Sequence, residues 1–235
     1  MIAVFSFVLY LSGIFWRPFF YVAILFQGAY ILSRGVALGR LPLVGLHDTL
    51  TFLSFSTAVF SVPFYLSLKE KKGFLESAAV LAAVFAILGY MSPQVNTPLP
   101  PVLKTYWFEL HVVLSFFSYG LFGIGAILGL RYLFLSDSDT EALQYKAILI
   151  GYLIFSLSMV FGGIWAFLAW GTYWLWTPKE IWTTLLWLTY TLYLHLRFRP
   201  WWLGKKIVIT GIAGYLVVLF TYLGVGLLMK SSHSF

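Results

Sequence analysis

Long apolar runs alternate with short polar breaks along almost the whole chain. Eight runs stand out, at residues 2–16, 18–34, 49–68, 74–91, 106–135, 147–170, 180–198 and 206–229. A helix that crosses a bilayer needs about 17–25 mainly apolar residues, so the pattern predicts eight helices. The first two are short, and Arg17-Pro18 divides them, because proline cannot continue a helix that precedes it. The other breaks are also short. They predict a single polytopic domain over 1–235, with no appended soluble module. The N-terminal run has no basic leader and no small-residue cleavage site, so it reads as a retained first helix. The stretch Ser92-Pro93-Gln94-Val95-Asn96-Thr97-Pro98-Leu99-Pro100-Pro101 is too rich in proline to be helical and reads as a stiff connector. Residues 136–141, Ser-Asp-Ser-Asp-Thr-Glu, read as a solvated turn. Residues 39–53 read as a loop entering the third helix, with Asp48 or Thr49 as its N-cap.

Composition agrees with the pattern. Of 235 residues, 61% are hydrophobic and 10% charged, against about 25% charged in soluble domains. Such a chain is an all-α integral membrane protein. It has no cysteine, which excludes disulfides, thiolate metal sites and redox thiols of its own. The net charge of +7 points to topology and not to nucleic acid, because the basic residues sit in the breaks. One set of breaks holds Arg17, Lys69, Lys71, Lys72, Arg131, Lys146, Arg197, Arg199, Lys205 and Lys206. The opposite set holds Arg34, Arg40, Lys104, Lys179 and Lys230. The richer set is cytoplasmic by the positive-inside rule. Both termini, the Pro-rich stretch and the break between helices six and seven then face outward.

That last break carries the chain's most unusual composition. Residues 170–182 hold Trp170, Trp174, Trp176 and Trp182, four of the chain's ten tryptophans, together with Lys179 and Glu180. Tryptophans at a membrane boundary form belts, but a belt is scattered round a bundle and not concentrated in one connection. The alternative is a shelf for a large flat ligand. Intramembrane ionisable groups are costly and mark function, so the four histidines matter. His111 opens helix five, His233 follows helix eight, and both fall on the outer side. His195 lies about 20 Å further in along helix seven, at 1.5 Å per residue. His47 reads as a solvated loop residue. Imidazole is a common axial ligand of haem iron, and indole faces suit a porphyrin. No Gly-rich phosphate loop, His-Glu-x-x-His helix or nucleophile elbow is present, so no catalytic residue is assigned. The glycines at 120, 123, 125 and 129 read as a surface for close helix packing.

The run Trp170-Gly171-x-x-Trp174-x-Trp176-x-Pro178-Lys179-Glu180-x-Trp182, followed by Tyr190-x-x-Tyr193-Leu194-His195-x-Arg197, resembles the tryptophan-rich WWD signature of the cytochrome c assembly family. The similarity is to its CcsA/ResC branch, the haem-handling membrane subunit of System II cytochrome c biogenesis. It extends to Gly39–Leu43, to Pro98–Leu103 with His111 and Tyr119, and to Leu219–Val225 with His233-Ser234. The resemblance implies haem b at the outer face, with His111 and His233 as axial iron ligands. It implies Trp170, Trp174, Trp176 and Trp182 against the porphyrin, and Lys179 beside a propionate. It implies a further haem within the membrane, on His195. Since His195 is the one histidine at that depth, a CcsB/ResB-like subunit supplies the other ligand. It further implies delivery of haem to apocytochrome c, as a subunit of a holocytochrome c synthase complex in the plasma membrane. One letter departs: the family has Asp where this chain has Thr177. That departure lends weight to an alternative, a HemX-like regulator or scaffold of haem synthesis without synthase activity.

Overall fold

The computed structural model describes residues 2–135 and 138–228. Among these the fold is helical throughout, without strands. The helices are α1 (Ile2–Phe15), α2 (Pro18–Leu38), α3 (Leu46–Ser67), α4 (Phe74–Met91), α5 (Tyr106–Leu135), α6 (Ser138–Trp170), α7 (Pro178–Leu196) and α8 (Lys205–Leu219). The last continues through a π-helical turn, Phe220–Gly224, into Val225–Leu228. Six of the eight, α2 to α6 and α8, are long and apolar enough to cross a membrane. α1, at 14 residues, is about 21 Å long, short of a hydrocarbon core of about 30 Å. α7 has the length but is interrupted by threonines, Lys179, Glu180 and His195.

Two helix starts, and with one of them the setting of His47, differ from the sequence expectation. Ser138-Asp139-Thr140-Glu141 is the first turn of α6 and not a solvated turn. Asp139 and Glu141 favour the positive end of the helix dipole there. Thr140 is fully buried, and Glu141 pairs with Arg197 at 3.1 Å. α3 begins at Leu46 with Gly45 as its cap, so neither Asp48 nor Thr49 is the N-cap. His47 is accordingly not a solvated loop residue but a buried one in the first turn of α3.

The chain divides into two compact units, Met1–Pro100 and Pro101–Phe235. In the first, α4 presents a small-residue face, Ala78, Ala79, Ala82, Ala83, Ala86 and Gly89, all buried. α3 lies against it with a buried polar seam. The Ser54 hydroxyl donates to the Ala82 carbonyl at 2.7 Å. Gln27 of α2 takes a hydrogen bond from the Tyr10 hydroxyl at 2.5 Å and gives one to the Thr51 carbonyl at 3.2 Å. In a lipid setting such internal partners are what makes buried polar groups tolerable. The Pro-rich connector closes the unit. Arg34 is ion-paired to Asp48, with side chains 10% and 0% exposed, and reaches Gln94 and Asn96 at 3.3 Å each. Arg40 donates to the Val95 carbonyl.

In the second unit α5 and α6 form a long antiparallel pair. The reading of the α5 glycines as a packing surface holds where they face α6: a Cβ on Gly125 would lie 2.9 Å from Ile148. Phe122 of α5 stacks on Tyr190 of α7 with ring centres 3.9 Å apart. α7 is pinned at its far end, where Arg197 lies 4.3 Å over the Tyr145 ring besides its pairing with Glu141.

Candidate functional site

His111 is the sixth residue of α5, and α6 fixes it from the side. Its Nδ1–H donates to the Ser158 carbonyl at 2.9 Å; a carbonyl only accepts, so this bond places the ring proton on Nδ1. The Ser158 and Ser115 hydroxyls both donate to the His111 carbonyl, at 2.9 and 2.8 Å. The imidazole stacks on Trp165 with ring centres 6.3 Å apart and planes 16° off parallel. Room for it comes from Gly162, where a Cβ would stand 2.6 Å from Nδ1. Among the described residues no hydrogen bond reaches Nε2. A histidine whose Nδ1–H is held by a carbonyl, with Nε2 left as a lone pair, is in the form that binds a metal.

The other histidines divide sharply. His195, near the end of α7, gives its Nδ1–H to the Thr191 carbonyl at 2.8 Å and is exposed. Its Nε2 is thus also a lone pair, facing out of the unit. Along the same face of α7, Ile181, Leu185, Leu188 and Leu192 are 43%, 42%, 49% and 55% exposed. Their spacing of four, three, four and then three to His195 puts all five on one side of the helix. His47 has both nitrogens engaged, Nδ1 with the Gly89 carbonyl at 2.9 Å and Nε2 with the Tyr30 hydroxyl at 2.7 Å, and offers nothing to a metal. His233 lies outside the described residues.

The tryptophan segment folds back over the end of α6. Tyr173 stacks on Phe167 at 4.6 Å, and Trp170 meets Trp165 edge-on at 4.9 Å. Trp165 thereby touches both His111 and Trp170. Its own ring is locked by a hydrogen bond from Nε1 to the Val102 carbonyl at 2.8 Å. Trp182 packs at 4.4 Å on Phe220, in the π-turn of α8. π-turns recur at functional sites because they break the regular ladder. Lys179 is half-buried in the first turn of α7, Trp174 is half-buried in the connection, and Trp176 is 69% exposed. Of the signature tryptophans, Trp170 is linked to His111 through Trp165, whereas Trp182 packs on α8.

Two features of the segment are tied together by Glu180. Thr177 is the N-cap of α7, in a reciprocal capping box with Glu180, an arrangement that satisfies orphan amides at the helix start. Asp caps helices as well as Thr or better, so the one departure from the signature sits at a position where both residues do the same job. The same Glu180 Oε2 also accepts from the amides of Leu175 at 3.0 Å and Thr177 at 2.8 Å. Between them stands Trp176, with φ +57°, the one non-glycine residue at positive φ among those described. A bulky side chain there costs on the order of 1–3 kcal/mol.

Trp165, Ser158, Gly162 and Phe220 were not singled out by sequence. Trp165 is five residues before the signature, and a weight on all nearby tryptophans would have found it. Ser158 acts through its main-chain oxygen, which no side-chain pattern reveals.

Comparison with known proteins shows the family to which the chain belongs. The family described as cytochrome C assembly protein matches residues 43–233. The chain is 33% identical over 224 residues to cytochrome c biogenesis protein CcsA of Chlamydomonas reinhardtii, covering 87% of this chain and 64% of that protein. It is 31% identical over 256 residues to CcsA of Chlorella vulgaris (87% and 80%). It is 27% identical over 248 residues to CcsA of Prochlorococcus marinus strain MIT 9312 (87% and 79%). The chain thus spans just under two thirds of the first relative and about four fifths of the other two. With the match running through α3 to the last helix, the chain belongs to the cytochrome c assembly protein family.

Proposed function

We propose that this membrane protein serves cytochrome c biogenesis by holding haem b and presenting it to apocytochrome c. The observation that carries the reading is the His111 imidazole: Nδ1–H on the Ser158 carbonyl, Nε2 unbonded, and a stacked tryptophan beside it. His111 and His233 are the axial ligands at the outer face. Trp170, Trp174, Trp176 and Trp182 supply the faces, and Lys179 a point charge for a propionate. The excess of basic residues in the opposite breaks supports an extracytoplasmic position for this face, in the plasma membrane. Haem, when bound, supplies the vinyl carbons to which the apoprotein's cysteine sulfurs add. This chain has no thiol, so its own part is to bind, orient and shield.

His195 belongs to a second, inner haem site that a partner completes. The exposed seam Ile181, Leu185, Leu188, Leu192 ending on its free Nε2 supports a CcsB/ResB-like helix there. The HemX-like alternative rested on Thr177. Since threonine caps α7 as aspartate does, that letter no longer favours it. The test is purification of the chain with a ResB-like subunit from a haem-replete host. With the inner site emptied by His195→Gly, a bis-imidazole absorbance is expected to remain, and to be lost when His111→Ala is added. Absence of any haem absorbance from the wild-type complex overturns the reading. Complementation of a System II deletion strain by wild type and by Thr177→Asp tests the assembly role directly.

A further inference from the structure

The strained residue at the tip of the tryptophan segment has no role in holding the fold together. Trp176 is 69% exposed at φ +57°, so its ring is not what stabilises the conformation. What holds it is a single carboxylate oxygen. Glu180, itself 8% exposed, reaches back across the helix start and takes the amides on both sides of Trp176, Leu175 N–H and Thr177 N–H, together with the Thr177 hydroxyl at 3.2 Å. Drawing two amides that flank one residue onto a common acceptor turns that residue outward. A glycine would meet the backbone requirement without strain. A tryptophan here makes sense only if its ring is used at the place to which it is turned.

We propose that Glu180 is a positioning residue: it acts through Trp176, holding that indole turned outward as a contact for the porphyrin edge. The assignment rests on the haem reading above, but the hold itself is a property of the ligand-free chain. Glu180 does not touch the macrocycle. Its carboxylate is consumed by the loop amides, and its effect on the ligand passes through the indole.

The full chain labelled with 5-fluorotryptophan, in lipid nanodiscs and free of haem, gives a fluorine resonance assignable to Trp176 by its loss in Trp176→Phe. In Glu180→Ala this resonance is expected to move and broaden. In Glu180→Gln, whose amide oxygen still accepts both N–H groups, it is expected to stay in place. Haemin titration of the same proteins, read by absorbance, is expected to show about tenfold weaker binding for Glu180→Ala and for Trp176→Ala, the size of one lost aromatic contact. The double variant is expected to be no weaker than Trp176→Ala alone, because the two residues act as one unit. Should Glu180→Ala fail to purify, Glu180→Asp, one methylene shorter, is read in the same two assays. An unmoved resonance, or an affinity loss that adds in full to that of Trp176→Ala, overturns the proposal. Haemin binding indifferent to Glu180→Ala overturns it while leaving the haem reading intact. No haemin binding by the unsubstituted chain overturns the haem reading and, with it, Trp176 as a porphyrin contact.

Discussion

Two histidines, one in each unit, His47 buried and His111 half-buried, are built alike up to their last atom. His47 and His111 each sit within the first two turns of a helix, and each gives its Nδ1–H to a main-chain carbonyl of a neighbouring helix, Gly89 and Ser158, at 2.9 Å. They part at Nε2. Tyr30 covers that of His47 at 2.7 Å, and an ion pair and the Pro-rich connector complete the cluster. Around His111 the neighbours are flat aromatic faces, and Nε2 is left open. The first arrangement spends every donor and acceptor on itself and is a structural clasp. The second leaves one ring nitrogen without a hydrogen-bond partner among the described residues. Residue type does not separate the two; hydrogen-bond accounting does.

The comparison is broken most decisively by removing each ring. His111→Ala is expected to abolish the bis-imidazole absorbance of the purified protein and cytochrome c maturation in a complementation strain. His47→Ala is expected to keep the absorbance and lower the melting temperature; loss of haem from that variant at an unchanged melting temperature would invert the assignment. Next in size is the clasp's ion pair. Asp48→Ala leaves the Arg34 guanidinium, 10% exposed, without its counter-charge, at a cost of about 3–5 kcal/mol, readable by thermal unfolding in detergent. Gly162→Ala is smaller. The added methyl would stand 2.6 Å from Nδ1 of His111, an overpacking of about 1–3 kcal/mol. It is expected to displace the ring and alter the haem spectrum at a nearly normal protein yield. The smallest effect is at Thr177. Thr177→Asp is expected to change stability and maturation little, whereas Thr177→Val, which loses the cap, costs about 1 kcal/mol; a gain of maturation activity in Thr177→Asp would show that the family's aspartate does more than cap.

The helices were legible because their signal is long and redundant: an apolar run of twenty residues survives an error of several. The start of α6 was not, because four polar letters in a row at 138–141 look like a turn when read alone. Only the tertiary partners, Arg197 for Glu141 and a buried setting for Thr140, make them helical. His111, Trp170 and Trp182 were singled out by residue type and resemblance. Ser158 and Gly162 were not, one acting through a carbonyl and the other through the absence of a side chain. His47 was misread for a related reason: what buries it comes from Tyr30 and Gly89, 17 and 42 residues away. The capping role of Thr177 was not legible either, because it depends on the place of that letter at a helix start.

The Pro-rich connector, finally, is fastened at both ends to different things. Gln94, Val95 and Asn96 are held by Arg34 and Arg40 of the first unit, and the Val102 carbonyl by Trp165 of the second. The few residues between are therefore a natural seam for gene fission. Two separately encoded polypeptides, 1–97 and 98–235, would each keep every one of these fastenings, and His47 and His111 would then travel on different chains.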